Sequence, residues 1–423
     1  MNHFELRDGE LFCEGVPLAR IAESVGTPVY VYSSATLERH YTVLRDALVG
    51  AGLKDPLIAF AVKANANVAV LRTLGNLGAG ADVVSEGEVR RALAAGIPPQ
   101  RIVFSGVGKT EAEIAFAVET GVAEINVESE PELHLVNRVA QGLGRRAAVA
   151  IRVNPDVSAG GHAKIATGKA ENKFGVSFSE AERLYANASN MAGVRPVGVA
   201  CHIGSQITDL APMETAFTKM RGLVQRIRAE GLSLERLDLG GGLGVPYFNA
   251  PTPPAPSDYA AMIGRVMQGL DVQFAFEPGR MIAANAGVLL ARVNHIHIRP
   301  EGRRFLVLDA AMNDLLRPAM YDAYHDLQPL VPRAGEAVPY DVVGPICETG
   351  DTFTRDRDLA PLEAGDLVAF MSAGAYGAAM ASEYNSRLLV PEVLVKGDKF
   401  AVVRPRPSYQ DMLDREQSAP WLA

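Results

Sequence analysis

Eight short apolar runs separated by helix-length segments constrain the fold of this 423-residue chain more than any other feature. The runs are Ile58–Val62, Ala81–Val84, Ile102–Phe104, Glu124–Val127, Ala147–Val153, Val197–His202, Leu234–Leu239 and Val272–Phe276. Segments rich in Ala, Leu, Glu and Arg, such as Glu86–Ala95 and Thr110–Glu119, lie between most of them. Runs of this kind suit strands buried on both faces of a parallel sheet. Eight such strands alternating with helices predict a (β/α)8 barrel of the TIM type. A doubly wound open sheet is the competing architecture, because periodicity alone does not show closure.

The polar residues gather where these runs end. Lys63 follows the first run, Ser85 the second and Ser105-Gly106 the third. Asn126 and Glu128 straddle the end of the fourth, Arg152 and Asn154 end the fifth, and His202 ends the sixth. Gly240-Gly-Gly242 follow the seventh and Glu277 the eighth. In a barrel all of these converge on the C-terminal face, where active sites are built.

Lys63 sits at the end of Leu57-Ile-Ala-Phe-Ala-Val62, six apolar residues in a row. Burial penalises the charge of a lysine, so the position is unusual. One reading is a strand-end lysine reaching water. The other is an amine kept partly neutral so that it can form a Schiff base. Nothing local decides between them. Gly240-Gly-Gly-Leu-Gly244 departs from G-x-G-x-x-G, with Val245 at the third glycine position, and no Walker lysine accompanies it. The run reads equally as a backbone cradle for a phosphate or as a tight turn. Phe276-Glu-Pro-Gly-Arg280 sets a carboxylate at a strand end with an arginine three residues on. That is either a salt bridge, or an acid that keeps a heteroaromatic nitrogen protonated beside a cation for an anionic group. One lysine, one histidine able to stack on a ring, one phosphate cradle and one carboxylate, all at strand ends, together match the needs of pyridoxal phosphate.

Outside the rhythm, Asp156–Lys173 reads as a functional loop after the fifth strand, and Asn249–Ser257 as a Pro-rich surface loop. Pro28–Tyr32 alternates like a strand. Ser34 is placed to cap a helix whose apolar residues are Leu37, Tyr41, Leu44 and Leu48. Beyond about residue 285, strand-like runs at Val288–Ile298, Arg304–Leu308, Val338–Val343, Leu367–Phe370 and Phe400–Val403 predict a second, mostly antiparallel β-barrel or sandwich domain. The expected organisation is an opening segment, 1–35, whose strands join the β domain; the barrel, 36–284; and the β domain, 285–423.

Hydrophobic residues make up 48% of the chain, enough for a large core, and the net charge of −8 is mixed along it. That balance argues against nucleic-acid or membrane-surface partners, which favour basic patches. No apolar run approaches membrane-spanning length, and the start of the chain lacks the pattern of a signal peptide. Three scattered cysteines, Cys13, Cys201 and Cys347, argue against a disulfide framework or zinc cluster and fit a reducing cytoplasm. His295 and His297 share a strand face without a third ligand nearby and read as ordinary strand residues, so no metal is expected.

Several strings carry a resemblance that runs nearly end to end: Ala61-Val-Lys-Ala-Asn65, Glu171-Asn-Lys-Phe-Gly175, His202-Ile-Gly-Ser-Gln206, Asp238-Leu-Gly-Gly-Gly-Leu-Gly244, Glu277-Pro-Gly-Arg280, Gly344-Pro-Ile-Cys-Glu-Thr-Gly-Asp351 and Ala373-Gly-Ala-Tyr-Gly377. In these the chain resembles the alanine-racemase-like, fold-type-III pyridoxal phosphate decarboxylases, and within them the diaminopimelate decarboxylase family. Cys-Glu-Thr-Gly-Asp is the specific string, since ornithine-type relatives usually carry Cys-Asp there. Gly160–Gly168 departs from the commoner His-Pro-Tyr-Ile-Ser-Thr-Gly form.

The resemblance implies Lys63 as the residue that bonds the cofactor, with His202 on its ring and Glu277 at the pyridine nitrogen. Gly240, Gly241, Gly242, Gly279, Arg280 and Tyr376 are implied at its phosphate. Cys347 is implied as the proton donor, against its residue-level reading as a small core side chain. The substrate, meso-diaminopimelate, carries a second amino-acid head; Arg280 and Arg317 are implied for its carboxylate and Glu348 for its ammonium, with Tyr321 and Tyr376 adding hydrogen bonds. Read alone, Arg317 and Tyr321 would be surface loop residues. L-lysine is the implied product, and a homodimer with shared active sites the implied assembly. The rival activities are decarboxylation of ornithine, arginine or a carboxylated polyamine. From another class comes a non-catalytic carrier of the cofactor.

Overall fold

A computed structural model describes residues 2–158, 173–247 and 251–422. The chain divides into two compact units: Leu37–Pro246 with Ala250–Ile282, and Met1–Thr36 with Tyr247–Asn249 and Ala283–Ala423.

The first unit is a closed barrel of eight parallel strands. They are Leu57–Ala61, Gly80–Val83, Ile102–Phe104, Glu124–Val127, Ala147–Arg152, Val194–Ala200, Arg236–Asp238 and Gln273–Phe276. They follow one another around the ring in chain order. Closure is made by Ala275 and Phe276 pairing in parallel with Leu57 and Ile58, which excludes the open-sheet alternative. Every residue of Leu57–Ala61, Gly80–Val83, Ile102–Phe104 and Glu124–Val127 is buried, as expected of parallel strands covered on both faces.

The first six strands hand over to their helices through a polar cap. Ser85 Oγ accepts from the N–H of Glu88, and Ser129 Oγ from that of Glu132. Thr110 and Glu113 form a reciprocal capping box. Such caps contribute about 0.5–2 kcal/mol each and fix the angle at which a strand-end loop enters its helix. The helix Ser34–Gly50 buries Leu37, Tyr41, Leu44 and Leu48 as its spacing predicts. Its cap is Ser33 and not Ser34: Ser33 Oγ accepts from Thr36 N–H at 3.0 Å.

The second unit is mostly sheet. Its central strand is Gly287–Ile298, paired antiparallel with Val29–Ser33, Arg304–Leu308 and Leu367–Phe370. Val29–Ser33 pairs on its other side, in parallel, with Glu392–Lys396, which pairs with Lys399–Arg404. Beyond Arg304–Leu308 lie Val338–Val343 and then Thr352–Leu359. Val29, Val31, Val288, Leu290, Ala369, Val393 and Val395 form its core. Phe4–Arg7, Glu10–Cys13 and Val16–Pro17 make a separate three-stranded sheet. The reading of the sequence passed over Leu327–Pro329, Thr352–Leu359 and Glu392–Lys396. Thr352–Leu359, Thr-Phe-Thr-Arg-Asp-Arg-Asp-Leu, is an edge strand whose charges protect it from pairing and hide its period.

Candidate active site

The first barrel strand stops at Ala61, and Val62–Ala64 forms a single 3₁₀ turn that carries Lys63 out of the sheet. Its side chain is 43% exposed, and its Nζ pairs with Asp82 Oδ2 at 2.7 Å. Burial therefore does not hold Lys63, contrary to the reading of it as a buried amine; an ion pair does. Asp82 is wholly buried on the second strand, and its Oδ1 has no hydrogen-bond partner. Sequence reasoning missed Asp82, although an acid inside Gly80-Ala-Asp-Val83 was a usable signal: a buried carboxylate demands a cation.

Glu277 follows the eighth strand. Its Oε1 accepts from Ser105 Oγ at 3.1 Å and from Asn126 Nδ2 at 3.4 Å. Burial first, and then the carboxylates of Asp238 and Asp82, push its pKa well above the usual range, while Lys63 and Arg152 pull the other way. His202 lies opposite in charge logic. Burial, helped by the positive charges of Arg152 and Lys63, pushes its pKa down to about 3, so the imidazole is neutral. The N–H of Gly241 donates to His202 Nδ1 at 3.2 Å, which places the ring proton on Nε2.

The glycine run is more than a turn. A side chain on Gly241 would put Cβ 2.3 Å from the carbonyl oxygen of Glu277, and one on Gly242, whose φ is +112°, would meet the carbonyl of Gly204 at 2.6 Å. Backbone from the sixth, seventh and eighth strand ends thus packs directly together here. The N–H groups of Gly242 and Gly279 have no acceptor among the described residues. Beside them Arg280 is buried, with Nε and Nη2 3.3 and 3.2 Å from Ser205 Oγ. Gly241→Ala is expected to lower stability by about 1–3 kcal/mol, because a backbone oxygen must move. Thermal unfolding measures that loss, and a variant as stable as wild type would contradict the close packing.

Arg152 pairs with Glu128 at 2.7 Å, and its guanidinium lies 4.9 Å from the centroid of Phe174. The placement of Ser105, Asn126, Glu128 and Arg152 at the C-terminal ends of the strands was legible; their hydrogen bonds were not. The Gly160–Gly168 stretch, with Glu171 and Asn172, lies outside the described residues.

The other expected residues belong to the second unit. Arg317 opens the short helix Arg317–Tyr321 and is buried, not a surface residue. Its Nη1 donates to Tyr247 Oη at 3.2 Å and to His325 Nε2 at 3.0 Å. His325 Nδ1 is 3.0 Å from the carbonyl of Met371, which fixes the tautomer that can accept from Arg317. Tyr321 is half-buried on the same helix. Cys347 and Glu348 are exposed on a turn. Asp351 organises that turn, accepting from the N–H groups of Ile346 and Met312 at 2.7 Å each. Tyr384 Oη donates to Glu348 Oε2 at 3.0 Å, and the N–H of Cys347 donates to Asn385 Oδ1 at 3.4 Å. Tyr376 holds a left-handed backbone, φ +57°, which costs a residue with a side chain about 1–2 kcal/mol. Tyr247, His325, Tyr384 and Asn385 carried no sequence signal that set them apart. His297 stacks on Phe305.

Comparison with known proteins decides what this barrel belongs to. The family model described as "Pyridoxal-dependent decarboxylase, pyridoxal binding domain" matches residues 35–284. The diaminopimelate decarboxylase of Zymomonas mobilis is 50% identical over 423 residues, all of both chains. The chain belongs to the diaminopimelate decarboxylase family. The enzyme of that name from Pseudomonas aeruginosa is also 50% identical, over 99% of this chain and 100% of its own. A crystal structure of M. jannaschii diaminopimelate decarboxylase in co-complex with L-lysine superposes with a TM-score of 0.94 at 38% identity, covering 100% of each chain. As a member of the family, the protein is a pyridoxal phosphate-dependent carboxy-lyase with a (β/α)8 barrel and a separate sheet domain. The barrel residues fit that cofactor. Glu277 is an acid in need of a cation, His202 offers an uncharged ring face, and Gly242 and Gly279 offer backbone donors beside Arg280. No helix among the described residues is long and apolar enough to cross a membrane.

Proposed function

We propose that the chain removes CO2 from meso-2,6-diaminopimelate to give L-lysine, the last step of lysine biosynthesis. The observation that carries this reading is the full-length likeness to diaminopimelate decarboxylases, with Lys63, His202 and Glu277 gathered at one end of the barrel. Pyridoxal phosphate, when bound, supplies the electron sink for the pair left at Cα as CO2 departs.

This chain's residues supply everything else. Lys63 would be the residue that holds the cofactor covalently at its aldehyde carbon, a place the amine of the substrate would compete for. Glu277 would hold the proton on the ring nitrogen. His202, being neutral, would offer an uncharged face to a positively charged ring without repelling it. Gly242 and Gly279 would offer the phosphate backbone donors, Arg280 a guanidinium and Tyr376 a phenol, while Gly240 and Gly241, whose N–H groups bond Asp238 and His202, would shape the cradle. Cys347 returns a proton to Cα. At the far end of the substrate, Arg280 and Arg317 take the carboxylate, Glu348 the ammonium, and Tyr321 and Tyr376 add hydrogen bonds.

The exposure of Cys347 and Glu348 supports a further element of the reading: in a twofold homodimer they enter the barrel of the other chain. Such an interface is isologous and yields two equivalent composite sites.

Release of CO2 from meso-diaminopimelate, with and without added cofactor, tests the activity. Cofactor-loaded protein that releases none from this substrate, yet does so from ornithine, arginine or a carboxylated polyamine, would replace the reading with its rival. Loaded protein inert on all of them would point to a carrier. The distal arginine gives a sharper test. Arg317→Lys keeps the charge and loses the planar fork. It is expected to raise KM for diaminopimelate about tenfold or more, the worth of one charge-assisted hydrogen bond, while cofactor affinity stays near wild type. An unchanged KM would remove Arg317 from substrate recognition.

A further inference from the structure

Two uncharged side chains of the second unit brace Arg317. Its Nη1 carries two N–H bonds: one donates to Tyr247 Oη at 3.2 Å, the other to His325 Nε2 at 3.0 Å. The guanidinium carbon lies 5.5 Å from the centroid of the Tyr247 ring, and that ring meets the His325 ring edge-on, with centroids 6.3 Å apart. Arg317 is 6% exposed and His325 5%.

Geometry alone fixes the state of His325. A carbonyl oxygen can only accept, so the Nδ1 that lies 3.0 Å from the Met371 carbonyl carries the ring proton. A guanidinium can only donate, so Nε2 meets Arg317 with its lone pair. The imidazole is therefore neutral. The carbonyl that receives it is held in turn: the N–H of Met371 donates to the carbonyl of Asp326 at 2.8 Å, where Leu327–Pro329 begins its pairing with Leu367–Phe370. The register of two strands thus sets the ring, and the ring sets the guanidinium.

We infer that His325 is a positioning residue for recognition of the far carboxylate of the substrate: a neutral acceptor that aims Arg317 without cancelling its charge. This inference rests on the reading that gives Arg317 that carboxylate. An anchoring carboxylate, as Glu128 is for Arg152 and Glu124 for Arg236, also orients an arginine, but it neutralises the group it holds. An arginine without an anchor would lose rotamer freedom each time a ligand bound. An imidazole lone pair avoids both costs.

The consequence is selective. Ligands that carry the far carboxylate feel His325, and ligands that lack it do not. L-lysine, the proposed product, keeps that carboxylate, whereas cadaverine has the same chain without it. Two amide substitutions separate the two bonds of the ring. His325→Gln brings an amide oxygen close to the place of Nε2, where it can accept from Arg317. His325→Asn is shorter: its amide lies close to the place of Nδ1, where it can donate to Met371 and falls short of Arg317.

In the cofactor-loaded, full-length protein, His325→Asn is expected to raise KM for diaminopimelate about tenfold with kcat near wild type, the pattern of lost uniform binding. The inhibition constant of L-lysine should rise by the same factor, and that of cadaverine should stay at its wild-type value. His325→Leu, which fills the space and accepts nothing, should behave as His325→Asn does. His325→Gln should hold KM within about threefold of wild type. In an Arg317→Lys background the effect of His325→Asn should largely vanish, because it acts through Arg317. Equal rises in KM for His325→Asn and His325→Gln, or cadaverine weakened as much as L-lysine, would overturn the inference and leave His325 a packing residue. The two readings fail separately. A KM raised by Arg317→Lys and untouched by His325→Asn removes His325 alone, whereas a KM untouched by Arg317→Lys removes the arginine from substrate recognition and this inference with it.

Discussion

Lys63→Ala and Cys347→Ala, each inactive alone, are expected to recover about a quarter of wild-type activity when mixed under conditions that exchange subunits. The number follows from symmetry. If each site combines Lys63 of one chain with Cys347 of the other, a mixed dimer gathers both defects in one site and leaves the second site intact. Random pairing makes about half of the dimers mixed, and each of those has one working site of two, giving about a quarter. If Lys63 and Cys347 of the same chain served the same site, both sites of a mixed dimer would stay defective. No recovery, with mixed dimers confirmed by mass, would defeat the shared-site proposal. The same Lys63→Ala protein provides a chemical control: borohydride should fix the cofactor to Lys63 in the wild type and to no lysine in the variant.

Glu277→Gln is expected to bind cofactor and lose decarboxylation by about a hundredfold or more, equivalent to about 2.7 kcal/mol of barrier. The physical cause is specific. The substituted side chain would keep the shape and could still accept from Ser105 and Asn126, but an uncharged amide cannot stabilise a proton on the ring nitrogen. The measurement is kcat at saturating substrate, with cofactor content determined on the same sample. Near-wild-type turnover in a folded, loaded variant would exclude the role.

How much of this was legible depended on what each residue does for burial. All eight barrel strands could be read, because a strand covered on both faces shows as an unbroken apolar run. Thr352–Leu359 could not, because an edge strand carries its charges where a period would otherwise show. At the site, Lys63, His202 and Glu277 stood out as polar residues at strand ends. Asp82 and Asp238 did not, since each occupies a place within a short strand that a hydrophobic residue would fill, and only three-dimensional contact reveals the amine of Lys63 that Asp82 meets and the N–H of Gly240 that Asp238 meets. The surroundings of Arg317 were hidden for a different reason: Tyr247 and His325 come from separate stretches of chain, 70 positions before it and 8 after.

The insertion of Val29–Ser33 between Gly287–Ile298 and Glu392–Lys396 has a consequence for how the chain is made. Tyr32 hydrogen-bonds Glu392 across 360 positions of sequence. At roughly 5–20 residues per second of synthesis, that strand waits about 20–70 s for its far neighbour to leave the ribosome. The barrel's last strand, Gln273–Phe276, emerges well before then. Until Gly287–Ile298 emerges, the newborn chain carries the strand Val-Tyr-Val-Tyr-Ser with both edges open, and from then until Glu392–Lys396 emerges, with one edge open. Those five residues are the part of the sheet that stays unpaired longest as the chain is made, and the part that must be kept from pairing with another chain.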